Sequence, residues 1–153
     1  MVDLKALYHD LIHYEMELWD AVDRRLRAEC DLQVTWFEVM RVIARLPGCR
    51  VQDIATDLGI TVGGVSKVVD RVEAARYCRR RANPDDRRSS IVELTAAGNR
   101  LLAKATKVFE AELEVRLGSV VSERSLQQFA VTLGKLRAAG RAMGDGRNPD
   151  RQS

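Results

Sequence analysis

Residues 77–95 read YCRRRANPDDRRSSIVELT. Five arginines fall between Arg79 and Arg88, on either side of Asn83-Pro84-Asp85-Asp86, and an alternating segment follows that ends on Leu94-Thr95. Asn, Pro and Asp in succession are turn chemistry: proline presets φ, and the short polar side chains bond their own backbone. Residues 77–81 and 89–94 therefore read as two short strands closed by a tight turn, with Ile91 and Val92 on different faces. The result is a β-hairpin with guanidinium groups crowded at its tip.

The crowding is local. The formal net charge is +3 and the sequence pI about 8.9, both mild. Residues 67–88 hold eight basic side chains against four acidic ones, a local excess of four, so the rest of the chain is about neutral. Clustered positive charge points to a polyanion partner; a solvated, salt-bridged surface is the alternative, and charge alone does not choose between them. A hairpin tip is narrow enough to enter a duplex minor groove. Guanidinium is planar, permanently charged and weakly hydrated, which suits a groove of strong negative potential. Arg79, Arg81, Arg87 and Arg88 are the candidate contacts. Asp70, Asp85 and Asp86 would repel phosphate, and are expected instead to pair with arginines and hold the wing in place.

Upstream lies a helical pattern. Thr61 is placed to cap a helix whose inner stripe is Val62, Val65, Val68, Val69 and Val72, leaving Gly63, Gly64, Ser66, Lys67, Asp70 and Arg71 outside. Before it, residues 51–58 carry Val51, Ile54, Ala55 and Leu58 on one face, with Gly59 as a left-handed cap. Earlier still, Thr35 and Glu38 have capping-box spacing, predicting a helix from Trp36 to about Arg45 that Pro47-Gly48 ends. Helix, tight turn, helix, then hairpin is the layout of a winged helix-turn-helix. Two glycines in the first turn of the second helix cost roughly 1 kcal/mol each relative to alanine. Either a base edge or phosphate approaches there, or a neighbouring helix does.

The flanks are long helices. Leu4, Leu7, Leu11, Tyr14, Leu18 and Val22 recur at steps of three and four over residues 3–29, widened by Tyr8, Ile12, Trp19 and Leu26. So long a stripe meets more than its own domain. Thr95 caps a further helix, Ser122 a last one, and after Gly144 the tail has no apolar anchor and is expected to be disordered.

Composition narrows the function. At 153 residues, 46% hydrophobic and 31% charged, the chain can bury one core and is too apolar for global disorder. No apolar run approaches the ~18 residues that span a bilayer. Met1-Val-Asp-Leu opens on an acidic amphipathic pattern rather than a signal peptide, so a cytoplasmic, nucleoid-associated protein is expected. Cys30, Cys49 and Cys78 are odd in number and lack CxxC spacing, against a disulfide or zinc framework. No phosphate loop, nucleophile elbow or Ser/His/Asp set is present, so an enzyme is not expected, and neither is a cofactor or metal. The remaining alternative is a helical dimerisation module that keeps a winged fold without using it; the arginines argue against that.

Asp86-Arg87-Arg88 followed by Leu94-Thr95-Ala-Ala-Gly98 resembles the wing signature of the MarR (multiple antibiotic resistance regulator) family, and DIATDLGITVGGVSKVVDRVEA resembles that family's DNA-reading helices. The motif match runs over residues 31–102. The resemblance implies a mostly α protein with a small β-hairpin wing: a 31–95 DNA-binding lobe, and residues 1–30 and 96–143 forming helical dimerisation regions. It implies a homodimeric transcription regulator, a repressor on a pseudo-palindromic operator, with half-sites ~34–36 Å apart or a multiple of that. Arg88 would enter the minor groove, Asp86 would steady the wing, and Thr61, Gly63, Gly64, Ser66, Lys67 and Arg71 would line the major-groove face. The family usually has glycine where Arg76 stands, so Arg76 either distorts the helix–wing junction or adds a phosphate contact.

Relatives commonly release DNA on binding a small aromatic or phenolic acid. His13, Tyr14, Trp19 and Trp36, with Arg24 or Arg25 as the cation, are the candidate pocket; core and surface roles are the plainer reading of each. Oxidant sensing is a second route, with Cys78 beside Arg79 the candidate thiol. His9 and His13, with Asp10 or Glu17, are a weak metal pattern.

Overall fold

The computed structural model describes residues 1–144; the expected disordered tail, 144–153, lies outside the described residues apart from Gly144. Six α-helices and one hairpin follow in order: α1 (Leu4–Cys30), α2 (Val34–Arg45), α3 (Val51–Leu58), α4 (Val62–Ala74), β1 (Cys78–Ala82), β2 (Ser90–Leu94), α5 (Ala96–Leu113) and α6 (Glu123–Ala142). A π-helical turn, Glu114–Gly118, ends α5. No described helix is long and apolar enough to cross a membrane.

Most boundaries follow local chemistry. The Asp3 carboxylate accepts from the amides of Lys5 and Ala6 at the start of α1. Thr61 Oγ1 accepts from Gly64 N, Thr95 Oγ1 from Gly98 N and Ser122 Oγ from Ser125 N, each satisfying an amide the helix leaves unpaired. Gly59 takes φ 65°, closing α3 in the left-handed conformation that glycine adopts without a Cβ clash. The start of α2 differs from the capping-box expectation. The helix begins at Val34, with Gln33 as an N-cap that makes no side-chain bond. Its first amide, Val34 N, instead donates to Asp23 Oδ1 of α1 at 2.9 Å. A carboxylate already fixed on a packed neighbouring helix displaces the local cap.

The core joins α1 to the winged lobe. Leu26 of α1, Phe37 and Met40 of α2, Ile54 of α3, Val65, Val69 and Val72 of α4, Val92 of β2 and Ala105 of α5 are buried together. The Phe37 and Phe109 rings lie 4.9 Å apart, and the Arg41 guanidinium sits 5.6 and 5.2 Å from their centroids, a cation–π cover on the outside of the core. Val62 corrects the predicted stripe. It is 52% exposed, because the first turn of α4 projects past the helices behind it. Ile91 and Val92 point to opposite faces of β2, yet both are buried. Val92 N also donates to Cys49 O at 2.7 Å, tying the hairpin to the α2–α3 connection.

The outer helices are another matter. In α1 only Ala21, Val22 and Leu26 are buried, while Leu4, Leu7, Tyr8, Leu11 and Ile12 are exposed. No residue of α6 is buried, and Phe129, Val131 and Leu136 are exposed along it.

Candidate nucleic-acid interface

The LT-x-x-G signature is a three-way joint. Thr95 N donates to Tyr77 O, and Thr95 Oγ1 donates to Arg76 O at 2.7 Å while capping α5. A Cβ on Gly98 would run into the Tyr77 carbonyl, so only glycine lets α5 approach the root of the wing this closely. The end of α4, the start of β1 and the start of α5 are thereby held in one orientation.

Arg76 sits in that joint with φ 65°. It adopts the left-handed conformation usual for glycine, donates its amide to Glu73 O at 2.8 Å and offers its carbonyl to Thr95. The junction is intact, so the distortion considered from the sequence does not occur; the cost is backbone strain instead.

The arginines of β1 divide by strand parity. Arg80 points inward to α4, where its guanidinium meets Asp70 Oδ1 at 2.7 Å and Glu73 Oε1 at 2.9 Å, and its amide donates to Glu73 Oε2 at 2.7 Å. It is a strut between β1 and α4, with Asp70 and Glu73 as its partners on the helix. Arg79 and Arg81 point the other way and both bond Glu93 across the hairpin. Those bonds, Arg81's first, hold the Glu93 carboxyl below its ordinary range. Three of the five arginines are thus compensated within the hairpin and α4.

The tip is held differently from expectation. Asp86 Oδ1 accepts from the amide of Arg88 at 2.9 Å, Asn83 Oδ1 accepts from the amide of Asp85 at 3.0 Å, and Asn83 Nδ2 donates to Ser89 Oγ at 3.1 Å. Asp86 steadies the wing, but through backbone rather than through an arginine, and Asp85 has no ion pair among the described residues. Short side chains reach the adjacent amide more readily than a distant guanidinium. The consequence is that Arg87 and Arg88 stay exposed at the tip, with no ion pair among the described residues.

Thr61, Gly63, Gly64, Lys67 and Arg71 are all exposed on α4, and Ser66 is half-buried. Among the described residues nothing beyond the helix's own backbone lies within 4 Å of a Cβ placed on Gly63, so no helix of the described chain packs there; one on Gly64 would press on the Thr61 cap at 3.0 Å. Between α4, the N-terminus of α3 and the wing lies a niche of about 270 Å³ lined by Arg50, Ser66, Arg80, Arg88, Ser89 and Ser90. The sequence reading missed Arg50. It falls outside the 67–88 charge cluster and reaches the niche only through the fold, anchored to Asp53.

The sensing candidates fare unevenly. A cavity of about 620 Å³ between α1, α2 and the end of α3 is lined by Glu15, Met16, Trp19, Asp20, Thr35, Glu38, Leu58 and Ile60. Of the expected pocket residues it includes Trp19 but not His13, Tyr14, Arg24 or Trp36. Trp36 packs on the core, its Nε1 buried without a partner, and Tyr14 donates to Arg116 O at 3.1 Å. Arg25 is committed to Glu112 and Glu29. Cys78 is 2% exposed, and burial, with Glu73 adding to it, pushes its thiol up to about 11. A thiol that stays protonated and covered is inert, so the redox assignment is withdrawn. Cys49 is likewise buried and pushed up to about 11. The His9 and His13 ring centroids lie 4.1 Å apart with the planes tilted by 41°, and no group of three metal-ligating side chains exists among the described residues.

An exposed helix with an open first turn, braced against a hairpin with guanidinium groups at its tip, is a winged helix-turn-helix arrangement. Residues 31–89 match the sequence profile of the MarR family. The transcriptional regulator HosA of Escherichia coli O111:H- is 29% identical over 119 residues, covering 77% of this chain and 88% of its own. Among solved structures, the MarR family regulator AbsC of Streptomyces coelicolor superposes with a TM-score of 0.83 at 19% identity, over 93% of this chain and 97% of its own. Sco3205 of the same organism, a MarR family regulator solved in complex with DNA, gives 0.80 at 19% identity, over 98% and 92%. Over residues 31–89 the chain resembles the MarR family, and its fold is that of MarR family regulators.

Proposed function

We propose that the chain works in the cytoplasm as a homodimeric repressor of a pseudo-palindromic operator, released when a small aromatic ligand binds. The observation that carries this reading is the pairing pattern. Of the five clustered arginines, the two at the wing tip have no ion pair among the described residues, beside an α4 face over which no described side chain covers Gly63. Thr61, Gly63, Gly64, Ser66, Lys67 and Arg71 would then face the major groove, and Arg87 and Arg88 the adjacent minor groove and its phosphates. Arg79 and Arg81 would add to the positive field, tempered by Glu93. Val62, apolar and exposed, suits a thymine methyl. The niche around Arg50 and Ser66 suits a backbone phosphate.

The dimer follows from unpartnered surface. Contiguous apolar faces such as those of α1 and α6 are uncommon on monomers, and a two-fold pairing of residues 1–30 and 96–143 would cover them while presenting two 31–95 lobes to two half-sites.

The test is a gel shift on duplexes recovered by genomic footprinting, repeated across salt. Affinity is expected to fall steeply with salt as phosphate contacts release counterions. Arg88→Ala is expected to weaken operator binding by ~1–3 kcal/mol and leave the sedimenting dimer unchanged. A protein that ignores every duplex at low salt, or an Arg88→Ala protein that binds as before, would overturn the reading.

A further inference from the structure

We propose that the cavity between α1 and the α2–α3 lobe binds a small organic cation with an apolar body, such as an arylammonium or a lipophilic phosphonium ion. This deepens the ligand-release reading above and rests on it.

The cavity holds about 620 Å³, within the range of drug-sized sites. Its floor and sides are apolar: Met16 and Trp19 from α1, Leu58 and Ile60 from the end of α3. Trp19 is 48% exposed, a large indole kept out of the core and set in the wall of a concavity. The face of an indole carries negative potential and is the best aromatic partner for a cation.

The charge lining the same space has one sign. Asp20 and Glu38 line it, Glu15 adds a third carboxylate, and no lining residue is basic. Asp20 has no ion pair among the described residues. Glu38 is paired with Arg41, whose Nη1 bonds both carboxylate oxygens at 3.1 and 3.3 Å, so the uncompensated charge is that of Asp20. Arg25, a cation considered for this role, is held by Glu112. An aromatic carboxylate would therefore meet carboxylates with no cation to receive it. A cation of the same shape would meet the Trp19 indole and at least one uncompensated negative charge, that of Asp20, beside apolar walls that strengthen the attraction. The cavity discriminates by repulsion as much as by fit.

The position suits control of DNA binding. Ile60 immediately precedes the Thr61 cap of the recognition helix, whereas Met16 and Trp19 belong to the helix assigned to the dimer. An occupant touching both sides biases the angle between the lobe and the dimer scaffold, and so the separation of the two recognition helices.

The experiment titrates tetraphenylphosphonium into the full-length dimer, with salicylate and benzyl alcohol as anionic and neutral controls, following tryptophan fluorescence and the melting temperature. The expected result is quenching that disappears in Trp19→Phe, a raised Tm with tetraphenylphosphonium, and neither effect with salicylate. Asp20→Asn is expected to weaken the cation about tenfold, and Asp20→Asn with Glu38→Gln further still. Asp20 is exposed, so the single variant keeps its fold. Tighter binding of salicylate, unchanged cation affinity in both variants, or no cation binding because the partner subunit fills the space would each overturn the inference. A dimer that binds its operator but not the cation defeats this inference alone. A dimer that binds the cation but no duplex defeats the repressor reading instead.

Discussion

Arg76 offers the sharpest test of the helix–wing joint. Its φ of 65° is one that a side chain with a Cβ tolerates poorly. A left-handed residue costs about 1–2 kcal/mol. Replacing it with glycine removes that strain, while the greater freedom of glycine in the unfolded chain takes back about 0.4–1 kcal/mol. Arg76→Gly is therefore expected to stabilise by about 0.5–1 kcal/mol, since the bonds from Thr95 Oγ1 to Arg76 O and from Arg76 N to Glu73 O are backbone features that survive the change. For a chain of this size that is a rise in Tm of about 1–4 °C. The measurement is thermal unfolding by circular dichroism at one fixed protein concentration, because the proposed dimer would make Tm concentration-dependent. Arg76→Ala is the control. It keeps the Cβ and the strain and removes only the guanidinium, so it is expected to stay within about 0.5 kcal/mol of the parent. A fall in Tm for Arg76→Gly, or an equal gain in both variants, would refute the strain argument. A gel shift on Arg76→Ala settles the other reading of this residue: weaker operator binding would make it a phosphate contact.

Gly98→Ala drives a Cβ into the Tyr77 carbonyl and is expected to cost about 1–3 kcal/mol, seen as a lowered melting temperature; an unchanged melt would mean the joint yields. Leu7→Asp with Leu11→Asp places charge on exposed apolar positions of α1 and is expected to convert dimer to monomer in sedimentation with helix content retained. An intact dimer would move the interface elsewhere. Glu112 is 8% exposed and bonded by Arg116 and Arg25, with the Arg116 bond chiefly holding its carboxyl below the ordinary 4.5. A depressed folded-state value means the contribution is present above 4.5 and is lost as pH falls through the lower folded value. Glu112→Gln is therefore expected to be less stable at neutral pH, by about 1–3 kcal/mol, with a flatter acid limb below about pH 5 in denaturant titrations; parallel acid limbs would show that the carboxylate is not ionically coupled.

Much of the winged lobe was legible because its signals act over a few residues. Thr61, Thr95 and Ser122 each cap a helix by bonding an amide three positions on, and Gly59 ends α3 by its own backbone freedom. The Asn83–Asp86 turn and the alternation after it placed the hairpin to within a residue. The long apolar stripe of α1 was equally visible as periodicity, though its outer half stays exposed among the described residues.

What the tertiary structure decided was which charges remain free and which groups are covered. Spacing along the chain does not reveal that Arg79 and Arg81 share Glu93, that Arg80 turns back to Asp70 and Glu73, or that Arg50 joins the niche from another helix. Thr35 lost its cap to Asp23, Cys78 lost its reactivity to burial, and the cavity between α1 and the α2–α3 lobe is lined by carboxylates from α1 and α2 rather than by an arginine. Caps, turns and periodicity are short-range consequences of backbone geometry and can be read in one dimension. Ion pairing and desolvation fall off with distance in space, and that distance exists only once the helices have packed.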